Sequence, residues 1–438
     1  MRLPNLLATR RGRLAAFFLL YMTEGIPFGF ATIAMATQMR RSGMSATAIG
    51  SFVAAVYLPW AFKWAVGPVV DVIASDRLGR RRGWILLMQL LMVATLLLLL
   101  KAGMTASIAT LTSLIILHNC FAATQDVAID ALAVNSLHED ERGLANGLMF
   151  GGSYLGQAVG GSGALLLTST IGFNNTFLFV AAAILSVTVF VVLPMREQAL
   201  PRAITAGRGA LSRVGNELAS FVGESWNSFA AHRSAWLGLI LSLLPIGAMA
   251  LGLALQTNLA VEFGMNDDRI GLLTLWSSIL TALGCVGGGW LSDRFGRRRM
   301  LAMYVGAMAI PTLWLAYVCW QQHWILPASK SAVAVAAPAL LITAFWVTSL
   351  AYAVFNGLMY GTRAALFMDL TNPRVAATQF TLYMALTNLT LSYSSQWQGY
   401  AVDHVGYPNT LMIDAAVGLV CLLLLPFISK RTVATVSP

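Results

Sequence analysis

Residues 76–84 read DRLGRRRGW and residues 293–301 read DRFGRRRML. The two stretches lie 217 residues apart in a chain of 438, so nearly the same turn recurs at almost half the length. Each copy follows one long apolar run and precedes another. Self-similarity at a fixed offset marks a duplicated architecture. Two halves of parallel topology, each built from the same succession of apolar segments, follow from it.

Working outward, apolar runs of spanning length fall at 14–38, 46–70, 84–104, 107–134, 143–168 and 175–194. They resume at 235–260, 269–291, 300–320, 331–360, 376–401 and 409–428. A bilayer-spanning helix needs about 20 apolar residues, so the pattern predicts twelve transmembrane helices in two six-helix, pseudo-symmetric halves, an all-α membrane protein. The halves are residues 1–194 and 235–438. The run that starts at 331 either breaks before Gly357 or continues to Asp369. Residues 195–234 form the one long hydrophilic stretch. There Leu211, Val214, Leu218, Phe221 and Val222 recur at helical spacing, which fits an amphipathic helix on the membrane surface or a flexible linker between halves.

Composition agrees. Hydrophobic residues make up 58% of the chain and charged ones 11%, with mean hydropathy +0.72. A soluble chain of this size carries about 25% charged residues, so a soluble multidomain enzyme, a disordered protein and a disulfide scaffold are excluded. The net charge of +10 suggests nucleic acid only until the basic residues are located. They sit in short clusters between apolar runs. With an even number of spans both termini share a side, and 22 of the 28 Lys+Arg fall on it, Arg363 counted among them, against five on the opposite side. The positive-inside rule places that side in the cytoplasm. Arg40 and Arg41 run against the rule. The first run carries Glu24 and lacks a small-residue cleavage site, so it reads as a retained helix and not a signal peptide. Cys120, Cys285, Cys319 and Cys421 lie inside apolar segments with no ligand spacing, as small buried residues; no metal or cofactor is expected. No phosphate-binding GxxxxGK[ST] loop exists, so an ion gradient, most simply protons, is the expected energy source.

Ionisable residues inside spans are costly and mark function by default. Glu24 lies ~16 Å into the first span at 1.5 Å per residue. Lys63 sits near the cytoplasmic end of the second. Asp126 and Asp130, four apart, share one face of the fourth helix, with Gln125 and Asn119 extending its polarity. A buried lysine needs a counter-charge, and Asp126 or Asp130 supplies it, either as a charge-swap element or as a permanent ion pair. Glu24 is a candidate proton carrier, or a hydrogen-bonded carboxyl beside a wet cavity. His118 reads as a neutral, hydrogen-bonded core residue before it reads as a proton relay; Asp369 and Asp414 read as structural groups near helix ends. The fifth helix, GLANGLMFGGSYLGQAVGGSG, is glycine-rich, for tight packing or a sliding surface. Trp276, Tyr352, Asn356, Tyr360, Gln379, Tyr383, Asn388, Tyr393 and Gln396 are candidates to line a cavity for an uncharged or amide-rich solute.

The duplicated loop reads as an intracellular latch, made and broken as halves rock, or as a positive-inside anchor. Its members are Asp71 or Asp76 with Arg77, Gly79, Arg80 and Arg81 in the first copy, and Asp293, Arg294, Gly296, Arg297 and Arg298 in the second, where Gly287, Gly288 and Gly289 permit close helix approach. The Asp-Arg-x-Gly-Arg-Arg pattern resembles the signature loop of the major facilitator superfamily. In the first copy, GPVVDVIASDRLGRRR, extra residues separate Gly67 from Asp76. YLPWAFKWAVGPVVD, GRRRGWILLMQL and ATQDVAIDALAVNSLHEDERGLANG are similar to the AmpG-type muropeptide permeases, a pattern shared with acetyl-CoA transporters and RhtX/FptX-type siderophore permeases; the likeness weakens past residue 200. The resemblance implies a major facilitator fold, with Lys63, Gln125, Asp126 and Asp130 in the transport core. With it, the expectation is a proton-coupled symporter in the bacterial inner membrane that imports a small amide-rich or anionic metabolite such as an anhydro-muropeptide; a monomer is expected. A siderophore or acyl-CoA-like solute, or export, is the alternative. A membrane-embedded enzyme lacks a catalytic cluster, and a non-transporting sensor of the same fold is the remaining class.

Overall fold

The structure, a computed structural model, describes residues 5–73, 79–104, 106–138, 141–197, 233–327, 337–370 and 376–428, with a few single residues between 212 and 223. Among the described residues the elements are helical. Twelve segments take the expected positions: α1 (Arg10–Arg41), α2 (Ala46–Ala65), α3 (Arg80–Ala102), α4 (Ile108–Ser136), α5 (142–171), α6 (Phe173–Val192), α7 (Arg233–Leu243 and Ala254–Glu262), α8 (Asp267–Phe295), α9 (Arg297–Gln321), α10 (Ala339–Leu370), α11 (Ala376–Val405) and α12 (Tyr407–Phe427). Nine of these are long and apolar enough to cross a membrane by themselves; α5, α7 and α11 are not. Their sequences show why. The α5 stretch is glycine-rich, α7 is broken, and α11 is studded with hydroxyl and amide side chains. Large apolar residues such as Val286, Leu283 and Ile310 are exposed on helix surfaces, as a lipid solvent allows.

Local chemistry sets the helix ends. Thr9, Ser45, Ser107 and Asn266 each accept a backbone N–H in the first turn of the helix that follows, satisfying donors that a helix start leaves open. The duplicated loops need their glycines: Gly79 and Gly296 stand at φ +90° and +94°, where a Cβ is strained. Glu197, arriving from the end of α6, accepts the N–H of Arg81 at 3.0 Å and also that of Arg82, capping α3 from a distance. In α1, Pro27 lacks an N–H and is followed by a π-helical turn over Phe30–Met35, as expected where proline disrupts the ladder.

α10 runs unbroken from Ala339 to Leu370, so it continues past Gly357 to Asp369. By contrast, the run at 235–260 does not form one helix. It breaks after Leu243, and the buried Asp414 carboxylate on α12 accepts the N–H groups of Met249 at 2.8 Å and Ala250 at 2.9 Å, with Gln398 donating to its other oxygen. An exposed backbone break inside a membrane must find such partners. Most of 195–234 lies outside the described residues; Ser212, Gly215, Asn216, Ala219 and Ser220 are helical and exposed. Cys120 is exposed, unlike the burial expected of it, and the four cysteines are free.

Helices α1 and α5 pack together, as do α3 with α4, α8 with α10, and α9 with α10 and α12. The α1–α5 contact is glycine-mediated: a Cβ on Gly160 would come within 1.8 Å of the Ile26 carbonyl oxygen. Likewise a Cβ on Gly288 would lie 2.2 Å from the Leu358 carbonyl on α10, whereas Gly289 meets nothing within 4 Å. Across the two sets of six, α2 lies on α11 and α5 on α8. These crossings frame a cavity between the halves.

Candidate functional site

The face carrying both duplicated loops is called here the loop face, the opposite one the far face. At the far face the halves are fastened together. Arg40, at the end of α1, forms a buried ion pair with Glu262 of α7. Arg41 binds Asp267 at the start of α8 at 2.7 Å and donates to the Met265 carbonyl. Gln38 donates to the other Asp267 oxygen at 3.0 Å. On α2, the Thr47 hydroxyl and N–H donate to Asp403 of α11 at 2.6 and 2.7 Å. Thus the two arginines that break the charge rule are each matched by a carboxylate of the other half.

Beneath this seal lies a cavity of about 660 Å³ lined by residues of both halves. Its lining reaches Leu137, just past α4, and Met368 of α10, both at the loop face, so the chamber is approached from that side. Tyr57, Tyr154 and Tyr352 also line a smaller chamber of about 130 Å³ and so partition the two spaces.

On the first-half wall, Glu24, Lys63, Asp126 and Asp130 all line the cavity. Lys63 Nζ lies 2.5 Å from Asp126 Oδ2. The lysine occupies a tight turn, Lys63–Ala65, where α2 loses its regular helix two residues past Ala61. The Tyr21 hydroxyl donates to Asp130. Glu24 is buried and its Oε1 has no hydrogen-bond partner among the described residues. Three carboxyl groups therefore converge on one ammonium. The i, i+3 spacing of Tyr21 and Glu24 and the i, i+4 spacing of Asp126 and Asp130 put each pair on one helix face.

Tyr352, Asn356, Tyr360 and Asn388 line the second-half wall. Three other candidates do not line it. Gln125 turns into a buried network between α1, α3 and α4, donating to Thr23 at 2.8 Å, because its helical position is one residue off the cavity face. Asn119 stands behind the wall, accepting from Trp60 Nε1 at 3.1 Å and so orienting an indole that does line the cavity. Tyr383 is buried on the opposite face of α11 from Asn388 and donates to the Ala235 carbonyl on α7. The Gln379 side chain lies outside the described residues. Trp276 and Tyr393 are exposed on the outside of the bundle, as is Gln396.

Arg363, expected from the sequence among the loop-face charges, is instead buried in the cavity wall, its guanidinium 4.6 Å from the centre of the Tyr360 ring. The signal available in the sequence was its position three residues after Tyr360, on the same helix face. Tyr21 and Trp60 also line the cavity, and no charge within the span marks either of them in the sequence. His118 is buried with Nδ1 2.8 Å from Thr95 Oγ1, away from the cavity.

In the second duplicated loop, Arg297 bonds Asp293 at 2.9 Å and Asp369 of α10 at 2.6 Å, and Arg298 donates to the Ile428 carbonyl. All these partners belong to the second half. Arg294 packs over Trp290 and Phe295, and Gly296 makes the turn. In the first copy, Arg81 donates to the Val70 carbonyl at 2.6 Å, and Gly79 and Arg80 open α3. Asp76, Arg77 and the Asp71 side chain lie outside the described residues.

The sequence profile of the Major Facilitator Superfamily matches residues 14–395 and again 237–437. The chain belongs to the major facilitator superfamily. Among the described residues, the helical segments of this major facilitator transporter surround a central cavity. The chain is similar to a Rickettsia felis protein provisionally named transporter AmpG 4, with 24% identity over 427 residues covering 96% of this chain and 97% of that one. It is also similar to the anhydromuropeptide permease of Escherichia coli (strain K12), with 24% identity over 422 residues, 94% of this chain and 79% of that one. Among solved structures, the D-xylose-proton symporter superimposes with a TM-score of 0.69 at 14% identity, covering 95% and 98% of the two chains. At that identity the likeness concerns the fold.

Proposed function

We propose that this transporter imports an anhydro-muropeptide-like solute across the bacterial inner membrane, driven by protons, by alternating access between the halves 1–194 and 235–438. The observation that carries the reading is the convergence of Glu24, Asp126 and Asp130 on Lys63 in the wall of the central cavity. In a low-dielectric site such a set cannot hold every charge uncompensated. A proton or a substrate group that engages Asp126 releases Lys63, and the freed charge favours one conformation over the other. The name of the Escherichia coli relative, an anhydromuropeptide permease, supports the solute class.

The duplicated loops and the termini face the cytoplasm in this reading, and the cavity is open inward. The fastened far face is then the periplasmic gate. During import it opens, and the loop face closes with Asp293, Arg297 and the first-copy arginines as a latch. The working unit is a monomer, since one chain supplies both cavity walls.

The test is uptake of labelled anhydro-muropeptide into cells expressing the protein, with and without a protonophore. Protonophore-sensitive uptake is expected. Equal uptake with and without the protonophore would overturn proton coupling, and no uptake with the protein in the membrane would overturn the solute class.

A further inference from the structure

A second charge centre stands on the wall opposite the carboxyl cluster. Arg363 is 2% exposed, lines the cavity, and has no carboxylate within ion-pair distance among the described residues. Its Nε is buried without a hydrogen-bond partner among the described residues, the guanidinium's polar contact there being with Tyr360. A guanidinium does not shed its proton, so neutralisation is closed to it. Burying an unpaired ion is costly even after the protein relaxes around it. The Tyr360 ring at 4.6 Å and the hydroxyl of the same residue offset only part of that cost. The difference leaves a site that a passing anion would complete.

Its depth is informative. Arg363 lies seven residues before the end of α10 at Leu370, and Asp130 six residues before the end of α4 at Ser136. At 1.5 Å per residue both stand roughly 10 Å inside the loop-face ends of their helices. The fourth helix of each half thus offers opposite charge at matching depth.

We propose that Arg363 is the subsite for a single carboxylate on the transported solute, whose amide or hydroxyl donors then face Asp130 and Glu24. This rests on the transport reading above. A carboxylate matches a guanidinium fork in shape and charge. A phosphate dianion fits poorly, because the other cavity cation, Lys63, is held by Asp126 and three carboxyl groups stand in the same chamber.

The experiment measures thermal melting of the purified protein, wild type, Arg363→Met and Arg363→Lys, with two pairs of probes. One pair is an anhydro-N-acetylmuramyl tripeptide and its fully methyl-esterified form; the other is N-acetyl-phenylalanine and its amide. The acid of each pair is expected to bind wild type about tenfold or more tightly than its neutral partner. Arg363→Met is expected to melt at or above wild type without ligand, and to lose the preference for the acid; Arg363→Lys keeps part of it. Acids and neutral partners binding wild type alike overturn the subsite, whether or not the variants fold. So does an Arg363→Met protein that keeps the full preference. If only N-acetyl-phenylalanine shows the preference, the subsite stands and the muropeptide reading falls.

Discussion

Removing Arg40 should open the far face. The Arg40 and Glu262 side chains are 4% and 3% exposed beneath the seal. In Arg40→Met the Glu262 carboxylate loses this arginine while still buried, and deleting one partner of a buried pair costs about 3–5 kcal/mol. That cost applies only while the far face is closed; once it opens, water hydrates the carboxylate. The equilibrium between the two states should therefore move toward far-face opening by roughly a hundred- to several-thousand-fold. Spin labels on exposed Ala109 of α4 and Asn409 of α12, in a background with the four cysteines replaced by alanine, report the separation of the halves at that face. Arg40→Met should populate a longer distance. Arg40→Met combined with Glu262→Leu removes both charges and should return the distribution toward wild type, because a buried ion pair is worth little more than apolar packing. An unchanged distribution in Arg40→Met would refute the gate.

Asp126→Asn and Lys63→Ala should each abolish uptake while leaving the protein in the membrane, and wild-type flux in both would end the charge-swap account. Glu141, just outside the membrane segment at the start of α5, accepts from Arg13 at 2.6 and 2.9 Å. Those hydrogen bonds hold its carboxyl below its ordinary value of 4.5. A depressed carboxylate contributes stability above its ordinary value and loses it as pH falls through the lowered one. The melting difference between wild type and Glu141→Gln should therefore be full near pH 7 and shrink below about pH 4.5; a difference that grows in acid would contradict the assignment. Gly160→Ala should lower the melting temperature, because the new Cβ meets the Ile26 carbonyl and overpacking costs about 1–3 kcal/mol or more. Gly289→Ala, which meets open space, should be neutral or slightly stabilising, and equal effects at the two sites would refute the close-approach argument.

Much of the candidate site's charged lining was legible because charge inside an apolar run is conspicuous. Glu24, Lys63, Asp126 and Asp130 stand out by their cost in lipid, and helix spacing alone pairs the two aspartates. Arg363 was not legible in the same way. It lies near a run's end, where a cytoplasmic arginine is ordinary, and only the length of the unbroken α10 draws it into the wall. Gln125 and Asn119 failed for the complementary reason: polarity within a span shows that a residue is satisfied by something, and a neighbouring helix serves as well as a cavity. The choice between them turns on about 100° of helix rotation per residue, which composition does not report.

The sequence by itself determined the medium, the span count and the duplication. Apolar run length, charge placement and a repeated nine-residue turn are one-dimensional properties, and the bilayer makes them decisive by requiring each span to satisfy its own backbone. Only the tertiary structure decided the partners. Arg40 and Glu262 are 222 positions apart, Thr47 and Asp403 are 356 apart, and Arg363 faces a carboxyl cluster on helices from the other half. Such pairings depend on how two six-helix bundles meet, and nothing local in the chain encodes which side chains that meeting brings together.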